Sequence, residues 1–201
     1  MVSCYFDQLA EGKTEKACGD IVRLFAGFST DELREIAADT LRAELSSPLD
    51  EGGMESPLLP TGIRYIKETC DLLHRLRELR FEIWVISGSN QWSVEEVCLP
   101  LKVPNGHIIG IDLVTENHLC TSSPVSPVPV LHGKVQALES LGLRRPAIVI
   151  SDSVHDLPLF DFSSGLKVLV ASNDRSRQFF MDAGIRQDES WVVLDNLTLD
   201  P

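Results

Sequence analysis

Five short segments that are apolar almost throughout, residues 81–86, 107–114, 147–150, 167–171 and 191–194, constrain the fold of this chain most. A strand with apolar side chains on both faces is buried on both, as parallel strands are. Between these segments lie stretches with helical spacing of apolar residues, at 94–99, 134–141, 156–160 and 178–183. The alternation predicts an α/β fold, a Rossmann-like parallel sheet with helices on both faces. The first fifty residues read as helices instead. Ile21, Leu24, Phe25 and Phe28 share one face, Leu33, Ile36, Ala37, Leu41 and Leu45 another, with Gly27 between them and Thr30 and Glu32 marking the second start. Breakers from Ser46 to Pro60 predict a boundary, giving a helical unit at residues 1–60 and an α/β core at 61–201. Ile63, Ile66, Leu73, Leu76 and Leu79 predict one amphipathic helix running from Thr61 to Leu79. The segment 121–129 holds three prolines and four Ser or Thr, and is predicted to be a surface excursion.

Composition narrows the function. The 201 residues, 43% of them apolar, suffice for one core with a small addition. A formal charge of −12 repels phosphate backbones, so nucleic acid is not expected as a partner. No apolar run approaches the roughly 18 to 20 residues that span a bilayer, so no membrane insertion is expected. Five cysteines without a C-x-x-C pair, and an amino terminus without a secretory pattern, point to a reducing, cytoplasmic setting.

In open parallel sheets ligands bind beyond the carboxyl ends of the strands. Ser87-Gly88-Ser89-Asn90 follows one strand and offers a hydroxyl and successive backbone N–H groups to an anion. Ser151-Asp152-Ser153-Val154-His155-Asp156 follows another and sets two carboxylates around a strand-to-helix turn. Lys134 opens a helix behind Gly133. Together they suit phosphate-monoester chemistry, which needs an anion cradle, a fixed cation and a Mg²⁺ site. Each has a plainer reading beside it. Ser87 could end a strand or cap a helix, Asp156 could complement a helix dipole, and Lys134 could be a solvated surface lysine. A lysine in a first helical turn opposes the dipole, however, and calls for an anionic partner. Asp152 precedes its helix and reads as a metal ligand. Trp84 and Trp92 read as packing residues. His107, His132 and His155 lack metal-ligand spacing and read as loop residues.

In their order and context these segments resemble motifs II, III and IV of the haloacid dehalogenase superfamily. Ile83-Trp84-Val85-Ile86-Ser87-Gly88-Ser89-Asn90 is similar to motif II, His132-Gly133-Lys134-Val135 to motif III, and Ile150 to Leu159 to motif IV. The nearest branch is the phosphoserine phosphatase-like one, including its phosphorylcholine phosphatase-like members. The likeness covers residues 61–194, and residues 1–60 resemble the tail of that branch's helical cap. It implies hydrolysis of a small phosphorylated metabolite through an aspartyl-phosphate with Mg²⁺. Ser87 and Gly88 would bind the phosphoryl group, with Lys134 as the catalytic cation. Asp152 would ligate the metal, and Asp156 would orient the metal shell or Lys134.

The family's motif I, D-x-D-x-T, supplies the nucleophile and the general acid, and this sequence has no copy of it. Asp7, two residues before Leu9, and Asp112, two before Val114, each lack the second carboxylate. The chain is therefore expected to start inside the cap, truncated relative to the family, and to be inactive alone. A non-catalytic, anion-binding pseudoenzyme is the alternative. In the family the motif I strand lies between the strands ending here at Ser87 and Ser151. Its loss predicts an unfilled position with unpaired backbone groups, each costing roughly 1 to 3 kcal/mol if buried, unless the two strands pair directly or residues 1–8 fill the position.

Overall fold

The second predicted amino-terminal helix forms where the spacing places it, whereas the one before it ends at Arg23, so that of the predicted stripe Ile21, Leu24, Phe25 and Phe28 only Ile21 is helical and the rest lie in the turn that follows. The computed structural model describes residues 2–49, 62–171 and 189–194. It begins with α1 (Val2–Ala10), α2 (Thr14–Arg23) and α3 (Thr30–Ser46). The start of α3 is set by Ser29 rather than Thr30. Its hydroxyl accepts the Glu32 N–H at 3.3 Å, and the Glu32 carboxylate accepts the Ser29 N–H at 2.8 Å, a reciprocal capping box. The buried stripe is narrower than the spacing suggested. Val22, Leu33 and Ala37 pack inward, whereas Leu24, Phe28 and Ile36 are exposed. Helix α4 (Lys67–Glu78) begins later than predicted, because Gly62 takes a left-handed φ of 84° and the chain runs extended to Ile66. Arg64 holds that extended segment to α3 by donating to the Ser47 carbonyl at 2.8 Å.

Strand β1 (Val85–Asn90) starts later than expected and absorbs the Ser-Gly-Ser-Asn loop. It runs parallel to β2 (Ile108–Ile111) with Val85 opposite Ile108 and Ile86 opposite Ile109, then jumps to Asn90 opposite Ile111. Residues 87–89 therefore bulge out of the ladder. Asn90 ends the bulge and caps α5 (Gln91–Cys98) by accepting the Ser93 N–H at 2.8 Å. The bulge folds back so closely that a Cβ at Gly110 would lie 2.6 Å from Gln91 Cα.

The single strand predicted over 107–114 is interrupted at Asp112. Past it, β3 (Leu113–Glu116) and β4 (Leu119–Pro124) form an antiparallel hairpin. The first part of the predicted excursion at 121–129 is thus strand. Its prolines do not forbid this, since Pro124 stands at the strand's last position. Helix α6 (His132–Ser140) leads to β5 (Ile148–Ser151), a 3₁₀ turn at Val154–Asp156, α7 (Leu157–Phe162), β6 (Leu166–Val170) and β7 (Trp191–Leu194). Strands β5, β6 and β7 form a parallel sheet in that order. The predicted helix at 178–183 and most of the predicted boundary, residues 50–60, lie outside the described residues.

Two apolar clusters anchor these pieces. Val22, Leu33, Trp92, Ile111 and Leu113 join α2 and α3 to α5, β2 and the hairpin, with Phe25 edge-on to Trp92 at 5.4 Å. Leu138, Val149, Leu159, Phe160 and Leu169 join α6 and α7 to β5 and β6. Arg34 of α3 also reaches Glu95 of α5 at 2.9 Å.

Among the described residues, β1 pairs only with β2, and β5 only with β6. Both strands line one cleft of about 980 Å³. Of residues 1–8, one suggested occupant of that position, 2–8 belong to helix α1. The Leu166 N–H donates to the Ala147 carbonyl at 2.8 Å, which fixes the parity of the β5–β6 ladder. In a parallel ladder alternate residues turn both backbone groups to the same side. Residues 147, 149 and 151 therefore face β6, and Ile148 and Ile150 turn theirs toward the cleft.

Two outcomes follow from this arrangement. In native-state hydrogen exchange the Ile148 and Ile150 amides should exchange at least about tenfold faster than Val149 and Val168, which lie in the ladder. Equal protection would mean the β5 edge is paired. Gly110→Ala should destabilise the chain by about 1 to 3 kcal/mol through the contact with Gln91, read as a lowered denaturation midpoint.

Candidate functional site

Four sequence-predicted residues line the same cleft: Ser87 on the β1 bulge, Lys134 in the first turn of α6, Asp152 after β5, and Asp156 in the 3₁₀ turn. The fifth, Gly88, sits beside it under α2. A Cβ at Gly88 would lie 3.4 Å from Val130 Cγ2 and 3.9 Å from Cys18 Sγ. Each position has a local cause. The bulge brings Ser87 out of the ladder, where its Oγ accepts the Ser89 N–H at 3.1 Å. Ahead of Lys134 the chain makes a tight turn in which Leu131 adopts a left-handed φ of 52°. Gly133 then passes so near Val128 that a Cβ would fall 1.8 Å from its carbonyl oxygen. Only glycine allows that approach.

Lys134 and Asp156 are both more than nine-tenths buried and form an ion pair through Asp156 Oδ1. The other carboxylate oxygen, Oδ2, accepts the Ser151 hydroxyl at 2.6 Å, and Ser151 in turn accepts the Ser153 N–H at 3.0 Å. Burying two opposite charges is tolerable only with such satisfaction of the remaining polar atoms. The arrangement gives Lys134 the anionic partner its place in the helix demanded. Asp152 is exposed.

Ser151 and Cys18 were not singled out by the sequence. A hydroxyl five residues before Asp156 at a strand end is a faint signal for Ser151, whereas nothing local marks Cys18, which only the packing of α2 brings to Gly88. Burial pushes the Cys18 thiol up, while the Tyr5 hydroxyl and the Lys134 charge pull it the other way. The histidines diverge from their loop reading, since His132 is the first residue of α6 and His107 and His155 lie in 3₁₀ turns at Asn105–His107 and Val154–Asp156. Trp84 stacks on His107 at 4.5 Å, and Trp92 is buried in the first cluster.

A Mg²⁺ ion takes oxygen ligands in octahedral array. Asp152 offers one exposed carboxylate, but both oxygens of Asp156 are engaged by Lys134 and Ser151. Among the described residues no three His, Cys, Asp or Glu side chains gather to hold a metal ion. The described residues alone do not complete a Mg²⁺ site.

Comparison with known proteins agrees with the geometry. Residues 4–161 match the family model of haloacid dehalogenase-like hydrolases. No match was found among curated proteins. Among solved structures, a protein of unknown function from Bordetella pertussis Tohama I superposes with a TM-score of 0.68 at 18% identity, over 96% of this chain and 80% of that one. A phosphoserine phosphatase caught as a phospho-aspartyl intermediate analogue gives 0.54 at 14% identity, over 88% of this chain and 76% of that one. Cytosolic 5′-nucleotidase IIIB bound to cytidine gives 0.52 at 16% identity, over 85% and 54%. At such identities the likeness is one of fold, a mixed α/β architecture with parallel strands. With a family model matching over most of its length, the chain belongs to the haloacid dehalogenase-like hydrolases.

Proposed function

We propose that this chain carries the phosphate-binding half of a phosphomonoester hydrolase site for a small phosphorylated metabolite, and that it does not turn over alone. The supporting observation is the buried Lys134–Asp156–Ser151 network opening on the same cleft as Ser87. Ser87 Oγ and the Gly88 backbone N–H form the cradle for the phosphoryl oxygens. Lys134 is the catalytic cation, neutralising charge on those oxygens in a site where electrostatics are weakly screened. Asp156 fixes that ammonium in place, and Asp152 is the carboxylate that would contribute to Mg²⁺ when further ligands are present. Mg²⁺ would supply charge neutralisation at the phosphate.

Hydrolysis in this family proceeds through an aspartyl-phosphate. In the described site neither carboxylate is placed to be that nucleophile: Asp156 is held by Lys134 and Ser151, and Asp152 is exposed. The same observation favours the second reading, a non-catalytic anion-binding protein. Both readings place the site in the helical-cap and α/β-core division at residues 1–60 and 61–201. All five cysteines are free thiols, which supports a cytoplasmic setting, and no described helix is long and apolar enough to cross a membrane.

Calorimetry with orthovanadate, a phosphate mimic, tests the cradle. Binding should be measurable, and Ser87→Ala should weaken it about tenfold, the loss of one charge-assisted hydrogen bond. Unchanged affinity would remove Ser87 from the site. Turnover of p-nitrophenyl phosphate with Mg²⁺ should stay at background; a rate abolished by Asp152→Asn would overturn the inactive reading. Lys134→Met should cost about 3 to 5 kcal/mol by stranding Asp156 as a buried charge, while Lys134→Met with Asp156→Asn should recover part of that loss in urea denaturation.

A further inference from the structure

The bulge in β1 carries more chain than its neighbour can pair. From Ile86 to Asn90 the strand takes four steps, whereas β2 takes two from Ile109 to Ile111. Serine and glycine do not hold such an excess in one shape by themselves, Gly88 least of all. If Ser87 and Gly88 form the cradle argued above, a further group must fix them. We propose that Gln91 is that positioning residue, with its side-chain amide locked in orientation by Glu95 and Arg34. This rests on the phosphate-binding reading and adds residues that act on that site from outside it.

Gln91 directly follows the bulge as the first residue of α5. Its Nε2 donates to the Ile108 carbonyl at 3.1 Å, and its Oε1 accepts the Gly110 N–H at 2.5 Å. Those are the two backbone groups of β2 that a residue opposite Ile109 in a neighbouring parallel strand would take. The amide thus acts as one strand residue and joins the carboxyl foot of the bulge to β2. At the amino foot the ladder pairs of Val85 and Ile86 supply the other anchor. Gly110 makes the approach possible, because a Cβ there would lie 2.6 Å from Gln91 Cα and 3.0 Å from the Ser89 carbonyl oxygen. The same glycine therefore admits both the last residue of the bulge and the residue that clamps it.

An amide meets this pair of groups in one orientation only, oxygen to the N–H and nitrogen to the carbonyl. Two side chains enforce it. Glu95, buried one turn further along α5, accepts the second Nε2 hydrogen through its Oε1 at 2.9 Å. Its Oε2 accepts from Arg34 Nε at 2.9 Å, so the carboxylate is held from α3. A carboxylate offers acceptors only, and a reversed Gln91 would set its oxygen against both Glu95 and the Ile108 carbonyl. Polar chains of this kind, with every partner satisfied, specify a single arrangement. The chain of bonds runs from α3 through α5 to β2 and ends at the foot of the Ser87 bulge.

Gln91→Leu removes the amide at nearly constant volume and constant charge. In the full chain the backbone amide resonances of Ser87, Gly88 and Ser89 should shift while those of Val149 and Val168 stay in place. Orthovanadate affinity by calorimetry should fall about tenfold, as misplacing Ser87 forfeits its hydrogen bond to the anion. Glu95→Met should shift the same resonances and weaken vanadate binding about threefold or more, although removal of a negative charge by itself favours an anion. The sign of that change separates positioning from electrostatics. Val168→Ala, which lowers the denaturation midpoint from the β6 core, should leave both readouts as they are, so lost stability is not the cause. Should Gln91→Leu not fold, Glu95→Met carries the same two readouts. Unchanged resonances at residues 87–89 would overturn the proposal, as would retained vanadate affinity in both variants or tighter binding in Glu95→Met. Absence of vanadate binding by the unaltered chain would overturn the phosphate reading instead, and the resonances would then decide whether Gln91 shapes the bulge.

Discussion

A parallel strand makes hydrogen bonds on both edges, and most of this structure can be traced to where that requirement is met and where it is left open. Strands β5, β6 and β7 satisfy one another through a continuous ladder and bury Val168, Leu169 and Val170. Strands β1 and β2 satisfy one another through a shorter ladder broken by a bulge. Between the two pieces the backbone groups of Ile148 and Ile150 point into the cleft. Among the described residues no ladder joins these two pieces, and the cleft is lined by both.

The same opening gives the candidate site its character. The bulge of β1 and the turn after β5 line the same cleft, so a hydroxyl from one strand and a carboxylate turn from the other share a common space. Lys134 reaches it from α6 and is paired in a buried position with Asp156, whose second oxygen accepts the Ser151 hydroxyl. Removing one partner of such a pair would leave the other as an uncompensated buried charge. The pair thus sets a buried ion pair on the cleft that Ser87 also lines.

The amino-terminal helices take part through packing rather than chemistry. Val22, Leu33 and Ala37 close over Trp92, and Arg34 holds Glu95, so α5 is clasped from outside while its first turn follows the Ser87 bulge. This contact carries Cys18 to Gly88, and with it a thiol whose pKa is raised by burial stands next to the β1 bulge.

The sequence by itself determined the α/β class and the helical character of the amino-terminal region, and it pointed to Ser87, Gly88, Lys134, Asp152 and Asp156 as candidate positions. Those signals are local: continuous apolar strands, a 3.6-residue period, and polar residues placed after strand ends. It did not determine that Ser87 to Asn90 would be a bulge inside β1, that Asp112 would split a strand, or that α4 would begin at Lys67. Each depends on a neighbour in space: Gly110 against Gln91, the hairpin partner β4, and Arg64 on α3. The pairing of Lys134 with Asp156 and Ser151, and the cleft between β1 and β5, were likewise decided by tertiary structure. Ladder partners and buried ion pairs join residues far apart in the chain, and their energies depend on burial that no single segment specifies.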